Sequence, residues 1–183
     1  AGNCEPIRAI YPSPVCPGVS VLPAPVSLER LCTPEDMRRL CRGFARYYDD
    51  VLIDSAAGVG AGFETAVASA QRALVVTTPD MVCARDAQIV SRLLEDRQLP
   101  ARLLINRLRA RPVMAGRMPD VDEIIDTAGL QLMGILPEDE AVAVANANGR
   151  PLPSDCYAAA CFGNIARRFL GEQVPLANLE KMI

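Results

Sequence analysis

Short apolar runs, each followed by a stretch of helical length, recur along this chain and restrict its fold more than any other feature. Ala73 to Thr77 reads Ala-Leu-Val-Val-Thr, Arg102 to Asn106 reads Arg-Leu-Leu-Ile-Asn, and Leu132 to Leu136 reads Leu-Met-Gly-Ile-Leu. Val51 to Asp54, Val-Leu-Ile-Asp, is a fourth run of the same kind. Nearly unbroken apolar character over about five residues suits a strand buried on both faces. Amphipathic stretches between such runs supply the crossovers that parallel strands need. The alternation therefore predicts an α/β fold, a mostly parallel sheet with helices on both faces in three layers.

The expected helices have readable ends. Thr33-Pro34-Glu35-Asp36 offers a cap, a proline at the first helical position and acids at the positive end of the dipole. That helix should run to about Arg46, with Leu40, Phe44 and Tyr47 on one face. Phe63 to Ala70 and Ala84 to Asp96 follow, the second carrying Ile89, Val90, Leu93 and Leu94. Val121 to Ala128 begins after the cap Asp120 and stops at Gly129. Glu138 to Asn148 is closed by Gly149, and Asp155 to Leu170 by Gly171. Residues 1–27 hold Pro6, Pro12, Pro14, Pro17, Pro23 and Pro25, so most of this start is loop, with one short strand expected over Gly18 to Leu22. A single domain over 1–183 is expected: the proline-rich start, alternating elements over 28–171, and a tail over 172–183.

Composition excludes several chemistries. The 183 residues include no histidine, which removes histidine-based triads, metal sites and proton shuttles. The seven cysteines (Cys4, Cys16, Cys32, Cys41, Cys83, Cys156 and Cys161) form no Cys-x-x-Cys pair and no zinc spacing. Their odd number and irregular spacing predict reduced, mostly buried thiols of a cytosolic protein. All 19 basic residues are arginine except Lys181, and the net charge of −3 gives no general footprint for nucleic acid. Ala1 to Ile10 lacks the apolar core of a signal peptide, and no run is long enough to span a membrane.

Chemistry-bearing residues gather at the strand ends. In open α/β sheets ligands bind outside the carboxyl ends of the strands. Asp54 ends one run, Thr77-Thr78-Pro79 another, Asn106-Arg107 a third and Pro137-Glu138-Asp139 a fourth. A carboxylate at Asp54 suits a hydrated Mg²⁺ beside nucleotide phosphates, and equally suits simple capping. Gly58 can bring a backbone N–H close to a terminal phosphate. Asn106 offers both a donor and an acceptor to a purine edge, and serves as well as a turn former.

These blocks together resemble the MinD family, the septum-site-determining ATPases of the MinD/ParA class of P-loop ATPases. Tyr47 to Gly58 looks like the family's second acidic strand and switch loop. Val75-Val76-Thr77-Thr78-Pro79-Asp80 with Arg85-Asp86-Ala87, and Leu104-Ile105-Asn106-Arg107-Leu108-Arg109, look like two further signatures. Met118 to Ile124, Leu132 to Asp139, Asn146 to Pro151 and Ala166 to Glu172 complete the match in order. The resemblance implies a P-loop NTPase-like fold and a cell-division regulator that switches between ADP and ATP-dimer forms. It implies that Asp54 binds Mg²⁺ through water and orders the attacking water. Gly58 would sense the γ-phosphate, while Asn106, Arg107, Pro137, Glu138 and Asp139 would border the adenine. Arg85 and Asp86, with Gln88 beside them, would meet MinC-like and MinE-like partners of a homo-dimer or other homo-oligomer. An exposed helix start with a local ion pair, worth about 1 kcal/mol at most, accounts for Arg85 and Asp86 equally. The family is cytoplasmic and peripheral to the inner face of the cell membrane, reached through a basic carboxyl-terminal amphipathic helix.

Departures from the pattern are as informative. The family usually has proline where Ala56 stands, glutamate where Gly60 stands and an acid where Gln88 stands. Its Gly-rich loop with two lysines is not found in these residues, because Lys181 is the only lysine. The match begins well inside the family pattern, at Ala1-Gly2-Asn3-Cys4, so a fragment without the P-loop segment and its strand is expected. Such a chain alone is expected not to hydrolyse ATP and to lack the membrane helix. Two other readings share the fold: a ParA-type partitioning ATPase, which would need a basic surface for DNA, and a scaffold that has lost nucleotide binding.

Overall fold

The computed structural model describes residues 6–24 and 32–182. The chain packs as two compact units, Ala1–Gln71 and Arg72–Ile183, which are taken in turn.

In the first unit a two-stranded antiparallel ribbon pairs β1 (Tyr11–Pro12) with β2 (Ser20–Val21). Ser13 Oγ accepts from the N–H of Cys16 at 3.1 Å, and Gly18 takes φ 85°, so the turn is closed by a serine and a glycine. β2 falls inside the expected strand Gly18 to Leu22. Helix α1 (Pro34–Phe44) starts as anticipated: Thr33 and Asp36 form a capping box, with the N–H of Asp36 donating to Thr33 Oγ1 at 3.1 Å. Thr33 Oγ1 and the N–H of Thr33 both donate to Asp36 Oδ2, at 2.7 and 3.3 Å, and these bonds, side chain first, lower the Asp36 pKa. Helix α2 (Ala61–Val67) packs against α1. Arg38 Nε donates to the carbonyl of Ala68, and Thr65 Oγ1 to that of Cys32, tying the two helices at both ends.

One expectation fails here. Val51 to Asp54 forms no strand. A strand is defined by its ladder, and among the described residues no segment pairs with this one. Leu52 is 84% exposed as a result. An apolar run states only that a segment would suit a sheet. It does not supply the neighbour.

The second unit holds a parallel sheet in the order β3 (Ala73–Thr77), β4 (Ala101–Leu108), β5 (Leu132–Pro137). β3 has the expected limits, and β4 and β5 extend slightly beyond theirs. Helix α3 (Met81–Asp96) crosses from β3 to β4, and α4 (Ala110–Met114) and α5 (Val121–Ala128) lie between β4 and β5. Right-handed crossovers put α3 and α5 on the same face, where they pack together. After β5 come α6 (Glu140–Ala147) and α7 (Tyr157–Phe169), and α7 packs on β5.

Strand side chains alternate, so burial reports both faces. Leu104 and Leu136 join Cys161 of α7 in one cluster, with Tyr157 and Ile165 against it. Leu103, Ile105 and Ile135 are buried on the opposite side. The expected sheet covered on both faces is therefore present over β4 and β5. β3 differs: Val75 and Thr77 are buried, while Leu74 and Val76 on the other face are exposed. Arg72 fixes the start of β3 by donating to the carbonyl of Phe169 at 2.9 Å, with its guanidinium 3.7 Å from that ring's centre.

Candidate functional site

Five of the residues singled out in the sequence come together in the second unit, at the carboxyl ends of β4 and β5. Asn106 and Arg107 lie in the last three residues of β4. Pro137, Glu138 and Asp139 follow at the end of β5. The two ends are joined by the N–H of Glu138, which donates to the carbonyl of Leu108 at 2.9 Å.

The strand end is irregular. Ile105 pairs with Ile135 and Leu108 with Pro137, so three residue steps on β4 face two on β5. This is a β-bulge, and Arg107 carries it with φ 60°. A side chain other than glycine in that region is strained, and such strain concentrates at functional positions. Arg107 Nη2 reaches Glu138 Oε1 at 2.9 Å, and Arg109 Nε lies 3.5 Å from Glu138 Oε2. One carboxylate thus holds two arginines across the mouth of the bulge. Asn106 is half-buried, and its amide makes no side-chain hydrogen bond among the described residues.

Asp139 has a structural task in the fold. Its Oδ1 accepts from the N–H of Ala141 at 2.8 Å, and its Oδ2 lies 3.4 Å from the N–H of Ala158. It caps α6 and also reaches the first turn of α7, so both its oxygens are engaged by backbone donors. Pro137 is buried and Glu138 exposed.

Arg85 and Asp86 are exposed on the second turn of α3, and Gln88 is half-buried. Val82 and Ile89, 69% and 53% exposed, lie on the same stretch of helix. The helix begins three residues earlier than expected, because Asp80 caps it. Asp80 Oδ1 accepts from the N–H of Cys83 at 2.9 Å, and Oδ2 from Thr78 Oγ1 at 2.6 Å. These bonds, the backbone one foremost, hold the Asp80 carboxyl below its ordinary pKa.

Asp54 and Gly58 belong to the first unit and lie on irregular chain. Asp54 is exposed and makes no side-chain hydrogen bond or ion pair among the described residues. Gly58 takes φ 86°, a conformation a side chain would resist. No cluster of three or more His, Cys, Asp or Glu side chains suited to a metal exists among the described residues. The described cysteines are free thiols, but only Cys161 is buried, against the expectation that most would be.

Arg109 and the bulge were not singled out from the sequence as site features. Arg107 near the end of β4 and Arg109 just beyond it stand two apart, and an acid follows the next strand. That pattern was a usable signal for the paired contact. The bulge left none, because arginine does not announce a positive φ as glycine would.

An apolar parallel sheet, helices on both faces and polar residues gathered at the strand ends define an α/β protein of the class that binds its ligands at that edge. No family model matches the chain. It is 38% identical over 152 residues to the septum site-determining protein MinD of Bacillus subtilis, which covers 81% of this chain and 57% of that protein. It is 35% identical over 180 residues to the same protein of Synechocystis, covering 96% of this chain and 68% of the relative. The chain belongs to the MinD family. Among solved structures it is similar to the MinC:MinD cell division protein complex of Aquifex aeolicus, with a TM-score of 0.87, 28% identity and coverage of 97% of this chain and 73% of that one. The MinD of Pyrococcus horikoshii complexed with Mg-ADP shares the fold, with a TM-score of 0.80, 24% identity and coverage of 92% and 70%.

Proposed function

We propose that this chain is part of a nucleotide-switched regulator of septum placement, and that the carboxyl edge of β4 and β5 receives an adenine ring. The observation that carries the reading is Asn106. The residue is half-buried, and its amide, open to solvent, has no partner among the described residues, at the strand ends where this class of fold binds ligands. One amide can donate to and accept from the same purine edge. Pro137 supplies an apolar wall, and Arg107, Glu138 and Asp139 border the ring. Support comes from a MinD structure of the same fold that is complexed with Mg-ADP.

On the first unit, Gly58 is the residue whose N–H would meet the terminal phosphate. Asp54 would hold Mg²⁺ through its water shell. A single exposed carboxylate fits that ion, which gives up its waters reluctantly and needs few protein ligands. Mg²⁺ would neutralise phosphate charge when bound, and Asp54 would order the water near it. The chain spans 57% of the Bacillus relative and about two thirds of the Synechocystis one, so the activity of a whole MinD is proposed only in outline. These 183 residues by themselves are proposed not to turn over ATP, since Lys181 is their only lysine and stands in no Gly-rich turn.

The exposed start of α3, with Arg85, Asp86 and Gln88, is the proposed docking face for a MinC-type partner, and a MinE-type activator would share it. The similar Aquifex protein is described as a MinC:MinD complex. A homo-dimer acting at the inner face of the membrane completes the reading. No helix among the described residues is long and apolar enough to cross a membrane.

Calorimetric titration of the full chain with Mg-ADP tests the site. Asn106→Ala is expected to weaken binding by about tenfold, near 1.4 kcal/mol. Equal affinity in the variant removes Asn106 from the site. Measurable ATP turnover that Asp54→Ala abolishes would overturn the statement on hydrolysis. Undiminished capture of MinC by an Arg85→Glu, Asp86→Lys variant would remove the α3 face.

A further inference from the structure

We infer that Glu138 and Arg107, besides bordering the ligand, form with Arg109 a clasp that positions Asn106. The inference deepens the adenine reading and rests on it for the ligand, but not for the clasp.

Asn106 precedes the one bulged residue of β4 near its carboxyl end. A bulge redirects the side chains around it, and it must be pinned if those directions are to be fixed. Three contacts do the pinning. Arg107 sits at φ 60° and extends its guanidinium to Glu138 Oε1 at 2.9 Å. Arg109, one residue beyond the next pairing position Leu108, approaches Glu138 Oε2 at 3.5 Å. The N–H of Glu138 holds the carbonyl of Leu108 at 2.9 Å. Glu138 therefore grips the bulge from its own residue and from the far side, through both carboxylate oxygens and its backbone. Each Glu138 oxygen thus faces one arginine, Oε1 at hydrogen-bond distance and Oε2 at 3.5 Å. Arg107 is strained and paired with Glu138. Asn106 is the member of the group whose amide is not used, and the others fix where it points.

The ion pairs are exposed, so they contribute little to global stability. That separates positioning from ordinary scaffolding. In the full chain, labelled with ¹⁵N, the side-chain amide signals of Asn106 report its setting directly, and adenosine is the probe ligand. Glu138→Ala is expected to shift and broaden those signals without ligand, and to weaken the adenosine-dependent shift about tenfold, while the thermal midpoint moves little. Glu138→Gln, which keeps one hydrogen bond to an arginine, restores part of both. Arg107→Gly, which keeps the bulge but removes the grip, should resemble Glu138→Ala even though it relieves strain. Signals of Asn106 that stay unchanged in both Glu138→Ala and Arg107→Gly would overturn the clasp. So would a large fall in thermal midpoint with the amide unmoved. If adenosine leaves the wild-type signals in place while Glu138→Ala moves them, the clasp stands and the adenine reading fails.

Discussion

At Gly134 the backbone of β5 approaches α7 more closely than a side chain permits. A methyl group added there would overlap the side chain of Ile165. Packed interiors yield little to such overlap, so Gly134→Ala should destabilise the second unit by about 1–3 kcal/mol, read from urea unfolding. In an Ile165→Ala background, which removes the conflicting Cγ1 and Cδ1, the same substitution should cost less. An additive double variant would mean that the cost lies elsewhere. Asp80 makes the opposite case, in which a polar residue fits its place. Its carboxylate caps α3 and holds Thr78, and Asp80→Ala should cost about 1 kcal/mol at neutral pH. Because the folded carboxyl titrates below its ordinary value of 3.8, its contribution is complete above that value and is lost as the pH falls through the folded pKa. The gap between wild type and Asp80→Ala should therefore narrow as the pH falls below 3.8. Asp80→Asn, an equally good cap without a titrating group, should show less of that acid dependence.

Elements in this fold are held by contacts that their own sequences do not display, and the carboxyl-terminal tail shows it. Arg168 on α7 donates from Nε and Nη2 to the carbonyl of Val174, at 2.8 and 2.6 Å, and from Nη1 to that of Met133 at 2.7 Å. It binds the tail and β5 to one helix. Tyr157 then takes the carbonyl of Asn178 at 3.2 Å, and Ala177 packs on the Leu104–Leu136–Cys161 cluster. Arg168→Met would leave two part-buried carbonyls without their donor, at about 1–3 kcal/mol. Hydrogen exchange should rise sharply over 172–180 and less within α7. Uniform exchange across both would argue that the tail is not a separate layer. The same distinction explains what the sequence made legible. β3, β5 and α5 announced themselves because burial and capping act locally: an apolar run, an Asp120–Glu123 box, a glycine stop. Val51 to Asp54 had the same local credentials and formed no strand, since pairing depends on residues far away. Helix α4 was missed because Pro112 reads as a breaker, yet it lies in the first turn, where its missing N–H has no intrahelical acceptor to lose. Of the candidate site, the grouping at the strand ends was legible. The division of labour within it was not, because the bulge and the grip of Glu138 arise only when two strands meet.

Across the whole molecule, the thiols give independent reports on the two units. Cys16 is exposed on the first unit, whereas Cys161 is 2% exposed beneath α7 in the second. Burial foremost pushes the Cys161 thiol above its ordinary pKa, with the neighbouring charges of Asp139 and Cys156 acting the same way. Burial also raises Tyr157, one turn away on the same helix. Both groups therefore favour their neutral forms in the fold. Their contribution to stability is complete below the unfolded thiol value, near 9 in the ordinary case, and is lost as the pH climbs through the raised folded values. The second unit should lose stability steeply in that alkaline range. Cys161→Ala combined with Tyr157→Phe should flatten the slope, even though it lowers stability at neutral pH by removing packing and one hydrogen bond. Alkylation followed by peptide mapping reads the same process residue by residue. Cys16 should react at once in the native protein. Cys161 should react only through opening of α7 from the sheet, so its rate should rise with urea and with pH above about 9 faster than thiolate formation alone requires. If Cys161 reacts as fast as Cys16 at neutral pH, α7 does not seal the sheet, and the cluster of Leu104, Leu136 and Cys161 is not the core of this unit.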